Sequence, residues 1–325
     1  MILAGDIGGT KTVLSLLTKD KNGQLICQKE QVFHSQNFLA FNDILDDFLP
    51  QDCLIKSACF GVAGPIINQR CQTTNLPWLL EAEVLKIRFL GAQIKLINDL
   101  EAMALGMLHL SDDELLELNS NAETQVGNIA VIAPGTGLGQ ALLFWDGHSY
   151  HSIATEGGHT DFAPVNNRQD LLLEYLRNLY PDHVSYERIL SGIGFSHLYD
   201  FICAKEIAQP SILVSQISDA IDRNAIISQS GIQGTDKACI ETLKLFVDIL
   251  GAETGNLTLK SLATGGVFIG GGICPNIITA LQDGVFIDAF KAKGRFNALL
   301  DKVSIKLSLN PRAPLLGAIK YFSLC

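Results

Sequence analysis

Met1-Ile-Leu-Ala-Gly-Asp-Ile-Gly-Gly-Thr-Lys-Thr-Val-Leu-Ser-Leu-Leu17 opens the chain, and its reading decides the fold. An apolar run, Ile2–Ile7, enters the turn Asp6-Ile-Gly-Gly-Thr-Lys11, and a second apolar run, Thr12–Leu17, leaves it. Glycines between two short apolar runs predict two strands joined by a tight turn. About one domain length later the pattern begins again. Asn128–Ala133 reads as a strand, Pro134-Gly-Thr-Gly-Leu-Gly139 as the turn and Gln140–Trp145 as the returning strand.

Working outward, strands alternate with helices after each opening. The first half predicts strands over Gln24–Phe33, Ser57–Ala63 and Gln93–Ile97. Its helices are Phe38–Leu49, stopped by Pro50, then Glu81–Leu90 and Leu100–Leu110. The second half predicts helices over Gln169–Leu179, Ser185–Leu190, Phe195–Lys205 and Asp236–Leu262, the last weakened by Gly251 and Gly255. Val267–Ile269 and Lys302–Leu309 read as strands, and Pro314–Leu324 as a closing helix. The duplication predicts an α/β protein of two related domains with a central cleft, a common place for ligands. The polar, acidic His109–Ala122 is the expected boundary. It gives a small domain, 1–110, rejoined by the C-terminal helix 313–325, and a large domain, 111–312.

The 325 residues suit about two domains. A hydrophobic fraction of 47% with only 18% charge excludes disorder as the main state. The formal net charge of −10, with no Lys/Arg cluster, argues against nucleic acid as a partner. Thr124–Trp145 and Ser261–Gln282 lack Asp, Glu, Lys and Arg but are broken by several glycines and a proline, which fits buried strand–turn segments better than a membrane span. The N-terminus has no basic region ahead of its short apolar run, so a cytoplasmic protein is expected. The eight cysteines (27, 53, 59, 71, 203, 239, 274 and 325) are scattered, without zinc-ligand spacing, and read as small buried hydrophobes in a reducing compartment.

A glycine turn between strands exposes backbone N–H groups that a phosphate can approach closely. Gly5–Lys11 and Gly135–Gly139 therefore read either as a pair of phosphate turns or as two ordinary hairpins. Neither matches a P-loop or a dinucleotide fingerprint. In the first reading Asp6 holds Mg2+ through water, Thr10 donates to phosphate, and any side chain at Gly137 blocks the phosphate. Asn98-Asp99 follows the apolar Ile94–Ile97 at the C-terminal end of a strand, where α/β proteins place ligand groups. Asp99 is there either to accept a proton from a substrate hydroxyl or to cap the helix starting at Leu100. Glu156-Gly-Gly-His159 joins a carboxylate and an imidazole on a flexible loop, suited either to vicinal sugar hydroxyls or to a solvated turn.

Seven motifs stand in one order along the chain: Asp6-Ile-Gly-Gly-Thr-Lys11, Ala63-Gly-Pro65, Thr74-Asn75-Leu-Pro-Trp78, Ile97-Asn-Asp99, Gly135-Thr-Gly-Leu-Gly139, Glu156-Gly-Gly-His-Thr-Asp-Phe-Ala163 and Gly265-Gly-Val-Phe-Ile-Gly-Gly-Gly272. Gly294-Arg-Phe296 and Leu315-Leu-Gly-Ala318 carry the series to the end. The set resembles the bacterial glucokinase family. That resemblance implies two ribonuclease-H-like domains of the actin/hexokinase type, ATP and Mg2+ as cofactors, and glucose phosphorylated on its 6-hydroxyl at the entry to glycolysis. It implies Asp99 as the base and Asn75, Asn98, Glu156, His159 and Glu187 as sugar contacts. It also implies Gly5, Asp6, Gly8, Gly9, Thr10, Gly135, Thr136 and Gly137 around the phosphates, with Gly271 and Gly272 near the adenosine. A homodimer is implied as well. The zinc-containing branch of sugar kinases is not expected, because the next cysteine after His159 is Cys203.

Three rivals are weighed against this. The first is a kinase of N-acetylmannosamine, mannose or fructose. The second, a sugar-sensing repressor, needs room for a DNA-binding segment before the strand at Ile2. The third, an actin-like or chaperone ATPase, needs the phosphate turns but not Asn98-Asp99 together with Glu156 and His159.

Overall fold

In a computed structural model, which describes residues 1–73, 76–209 and 214–324, both glycine turns lie between paired antiparallel strands. Contacts divide the chain into two units, Met1–Asp112 with Ser152–Ala154 and Asn310–Cys325, and Asp113–His151 with Thr155–Leu309.

Unit 1 is built on β1 (Ile2–Ile7), β2 (Lys11–Lys19), β3 (Leu25–His34), β4 (Ser57–Val62) and β7 (Gln93–Asn98), with a separate hairpin of β5 (Arg70–Gln72) and β6 (Leu79–Glu81). The sheet order is β3-β2-β1-β4-β7. The first two pairings are antiparallel and the last two parallel. Central β1 and β4 are apolar almost throughout because both of their faces are covered. Ile7 lies opposite Val62, and Val62 opposite Asn98, so β1, β4 and β7 end level with one another.

The sheet of unit 2 repeats the plan with β9 (Ile129–Pro134), β10 (Leu138–Trp145), β11 (Tyr150–Ala154, of which Tyr150 and His151 are grouped with unit 2), β12 (Gly266–Ile269) and β13 (Ile305–Ser308). Its order is β11-β10-β9-β12-β13, and β8 (Leu115–Glu117) adds an antiparallel edge against β13. The shared five-strand order gives the two related α/β units that the repeated turn predicts, of the ribonuclease-H-like type that the resemblance implies.

Most predicted elements appear within a few residues of their expected ends. Helix Phe41–Phe48 buries Phe41, Ile44, Leu45 and Phe48 on one stripe. It starts later than its spacing suggests because the Asp43 carboxylate accepts the Ala40 N–H at 2.9 Å and fixes the first turn there. Ser185–Leu190 makes only a short 3-10 turn, Tyr186–Arg188. The stretch read as a boundary, His109–Ala122, contains β8, whose three residues are too short to show a period; its last residue, Glu117, accepts the Ile305 N–H on its side chain at 2.8 Å. Helices Arg223–Gln233 and Val285–Lys291 have no counterpart in the sequence reading.

Two glycine seams set helix spacing. Gly251 and Gly255, read as weak points, sit where a Cβ would meet the Phe286 and Phe290 carbonyls, so they bring Val285–Lys291 close to the long helix Lys237–Ser261. Gly106 and Gly317 do the same for Asp99–Met107 and Ala313–Leu324, meeting the Ala313 and Ala102 carbonyls. The cysteines do not all follow expectation. Cys59, Cys71, Cys239 and Cys274 are buried, but Cys27 on β3 is exposed, because that strand is the sheet edge. Among the described residues no helix is long and apolar enough to cross a membrane.

Candidate active site

In unit 1 the level ends of β1, β4 and β7 place three segments along one sheet edge: the turn after Ile7, the Ala63-Gly-Pro65 segment, and Asn98-Asp99. This is the edge at which α/β sheets bind ligands. The turn is braced from beneath. Gly8 N–H donates to the Lys11 carbonyl at 3.0 Å, and buried Ser35 donates its hydroxyl to the Gly8 carbonyl at 2.7 Å. Ser35 Oγ also pairs with buried Thr12 Oγ1 at 2.9 Å, while Thr10 stays exposed. Asp6, half-buried near the end of β1, has its carboxyl pushed up to about 6 by burial, an effect the Lys11 ammonium partly offsets.

Asn98 and Asp99 divide the two roles that the sequence left open on Asp99. The helix cap is Asn98: its Oδ1 accepts the Leu100 N–H at 2.9 Å, and its own N–H donates to Glu101 Oε2 at 3.1 Å, closing a capping box. Its Nδ2 donates to the Gly64 carbonyl at 3.1 Å, so the Ala63-Gly-Pro65 motif anchors this side chain. Asp99 is the first residue of the helix, and its Oδ1 also reaches the Leu100 N–H at 3.0 Å. Capping by Asp99 is thereby replaced by capping by its neighbour. Gly61 lets this helix approach the sheet: a Cβ there would lie 2.8 Å from Ala102 Cβ and 3.8 Å from Asp99 Cα. Burial, with the Asp99 carboxylate close by, pushes the Cys71 thiol up to about 11. Asn75 lies outside the described residues.

Unit 2 gathers its candidates around Glu187. Its Oε2 accepts the Leu138 N–H at 2.9 Å, and its Oε1 stands 3.9 Å from His159 Nε2. The turn itself is closed by Gly135 N–H donating to the Gly137 carbonyl at 2.8 Å, and Gly192 N–H donates to the Gly135 carbonyl at 2.8 Å. A Cβ at Gly137 would strike the Glu187 carboxylate, a neighbour that the sequence reading of this position did not include. Gly271, at φ +78°, lies against the Pro134 carbonyl; Gly272 beside it has open space where a Cβ would stand, and Thr136 is exposed. Glu156 and His159 flank a single 3-10 turn and are both exposed. Gly158 tucks that turn onto the Leu138 carbonyl, which ties the loop to the strand leaving the second glycine turn.

A glucokinase family model matches residues 3–324 of this chain. The chain belongs to the glucokinase family. A glucokinase of Trichormus variabilis is 36% identical over 333 residues, covering 98% of this chain and 97% of the relative. A Synechocystis glucokinase is 36% identical over 340 residues, covering 97% and 96%. The crystal structure of a glucokinase from an Antarctic psychrotroph superposes with a TM-score of 0.85 at 32% identity, covering 99% of this chain and 98% of that one. The glucokinase-family chain is therefore an ATP-dependent hexose kinase acting on glucose, and the rival repressor and ATPase readings are not favoured.

In this glucokinase-family frame, unit 1 offers a carboxylate beside a braced glycine turn, and unit 2 offers a carboxylate and an imidazole around a second turn. Sequence reasoning missed two supports. Ser35 and Thr12 under the first turn carry no signal, since hydroxyls in a strand and a loop look ordinary. Glu253 is buried in the long helix among apolar neighbours. A charge on an apolar stripe is the signal that exposes it.

Proposed function

We propose that this chain transfers the γ-phosphoryl group of ATP to the 6-hydroxyl of glucose, giving glucose 6-phosphate and ADP. The observation that carries the reading is the glycine turn and the Asp99 carboxylate sharing the C-terminal edge of β1, β4 and β7. Asp99 orients the sugar hydroxyl and takes its proton late in transfer, because a primary alcohol is a poor nucleophile while protonated. Asn75, Asn98, Glu156, His159 and Glu187 hold the remaining hydroxyls, by charge-assisted bonds where carboxylates accept. Backbone amides of Gly9 and Thr10 and of Thr136 and Gly137 receive the phosphates, and Gly271 and Gly272 adjoin the nucleotide; Gly5, buried mid-strand between β2 and β4, and Gly8 and Gly135, whose N–H groups are spent inside their turns, shape the turns instead.

The residues fit a cation that arrives with its nucleotide. No described group of three acidic or histidine side chains forms a metal cage, whereas Asp6 supplies one half-buried carboxylate beside the turn. That matches the habit of Mg2+ of binding one or two carboxylates together with substrate phosphates. When bound, Mg2+ neutralises charge on the phosphate oxygens. The chain's own task is to position and to neutralise, since the transition state of phosphoryl transfer is loose and its charge is spread. The family reading also makes this a cytoplasmic homodimer that feeds glycolysis, with 1–110 and 313–325 as small domain and 111–312 as large domain. A hexose panel with ATP and Mg2+, read by ADP release, tests the reading. Glucose should give the highest kcat/KM; a higher value for N-acetylmannosamine, mannose or fructose would overturn the substrate.

A further inference from the structure

Glu253 is fully buried in unit 2, on the side of the long helix opposite the one that Gly251 and Gly255 turn to Phe286 and Phe290. A buried carboxylate is costly unless donors surround it. Here Gln140 Nε2 donates to its Oε1 at 2.9 Å and Asn256 Nδ2 to its Oε2 at 3.0 Å. Asn256 Nδ2 also donates to the Tyr186 hydroxyl at 3.2 Å, which brings that hydroxyl to the carboxylate's edge. Lys293 Nζ closes the cluster from outside, donating to Asn256 Oδ1 at 2.7 Å. A helix that needed packing alone would carry a leucine here at lower cost, since apolar residues replace buried polar clusters with no loss of stability.

Each partner of Glu253 leads to a sugar-binding candidate. Gln140 lies so close under Gly157 that a Cβ there would strike its side-chain oxygen. Its carbonyl accepts the Thr155 hydroxyl at 2.9 Å, and Thr155 Oγ1 in turn accepts the Gly157 N–H at 3.2 Å. Tyr186 leads the other way. It is followed directly by Glu187, and its N–H donates to the Thr160 carbonyl at 3.0 Å.

We infer that Glu253 is a positioning residue for glucose: through Gln140 it sets the Glu156–His159 loop, and through Tyr186 it sets Glu187. This rests on the assignment of Glu156, His159 and Glu187 to the sugar. Glu253 touches no substrate itself. Its part is to hold two groups from different segments at one separation, which a sugar with fixed hydroxyl spacing requires.

Glu253→Gln tests it, because one of the two acceptor oxygens becomes an amide donor and must meet either the Gln140 or the Asn256 amide as donor against donor. The glucose KM should rise roughly tenfold or more, toward the ~100-fold that a misplacement of about 1 Å costs. The ATP KM and the kcat at saturating glucose should stay within about threefold, the signature of lost ground-state binding rather than lost chemistry. Adding Gln140→Glu restores an amide–carboxylate pair in reverse, and the double variant should recover most of the glucose KM. A glucose KM that does not move in the single variant, an ATP KM that rises in parallel, or a double variant that recovers nothing overturns the inference. If Glu253→Gln does not fold, Tyr186→Phe removes one arm at constant shape and should raise the glucose KM alone; no rise overturns the inference too. Glu156→Gln and His159→Ala, run alongside, separate the two levels of the argument. Should they leave glucose binding intact, the sugar assignment fails. Should they weaken it while Glu253→Gln does not, only the positioning role fails.

Discussion

Asp6→Asn should make the protein more stable and less active, and the size of the gain follows from the carboxyl's surroundings. Burial raises the Asp6 carboxyl from 3.8 in the unfolded chain to about 6 in the folded one. A raised folded value means that the native state favours the protonated acid. Stability from this group is therefore complete below pH 3.8 and is lost as pH climbs through 6. At pH 7.5 the penalty is at most about 3 kcal/mol, from roughly two pKa units at 1.36 kcal/mol each. Water reaching the half-buried group trims that figure. At pH 4 the same linkage leaves only ~0.5 kcal/mol. Asparagine has nearly the same shape and no charge to desolvate. Thermal unfolding of the ligand-free variant should therefore show a Tm several degrees above wild type at pH 7.5, at roughly 2–4 °C per kcal/mol, and the gap should close at pH 4. The kcat/KM for ATP should fall at the same time, since the carboxylate proposed to meet Mg2+ is gone. A Tm gap independent of pH would refute the reasoning, as would a variant less stable than wild type at pH 7.5.

Three further outcomes are expected. Gly137→Ala directs its methyl at the Glu187 carboxylate, so the KM for glucose as well as that for ATP should rise, by about tenfold for a strain of 1–2 kcal/mol; a rise confined to ATP would show that Glu187 yields freely. Gly317→Ala forces a methyl onto the Ala102 carbonyl and should cost about 1–3 kcal/mol, visible as a lowered Tm together with a lowered kcat, because the displaced helix begins at Asp99; an unchanged Tm would mean that the two helices part without strain. Ser35→Ala removes the brace on the Gly8 carbonyl and should cost about 1 kcal/mol, read as a several-fold higher ATP KM at constant glucose KM; equal shifts in both would place Ser35 outside the phosphate turn.

The turn-joined strand pair that opens each unit was legible because both repeats use the same local device, an apolar run, glycines and an apolar run, whose turn chemistry needs no tertiary knowledge. β8 was not, since three residues cannot show a period and their pairing to β13 spans most of the chain. Site residues divide in the same way. Asn98-Asp99 could be placed at a strand end from the apolar run before it, but the exchange of roles between them required the capping box to be seen. Glu187 carries no sequence signal of its own: its meaning comes from the Leu138 N–H and from His159, brought to it by segments far apart in sequence. Gly251 and Gly255 read as helix weakness because propensity was the only term visible. The close approach of a second helix outweighs the roughly 1 kcal/mol that each glycine costs.

Asp99→Asn tests the central claim most directly. With the cap supplied by Asn98, the substitution leaves the helix start intact, so the variant should unfold at the wild-type temperature and still bind glucose by calorimetry. Its kcat for glucose phosphorylation should fall by about 100- to 10,000-fold, the usual contribution of a general base. Near-wild-type turnover in that folded, glucose-binding variant would contradict the account.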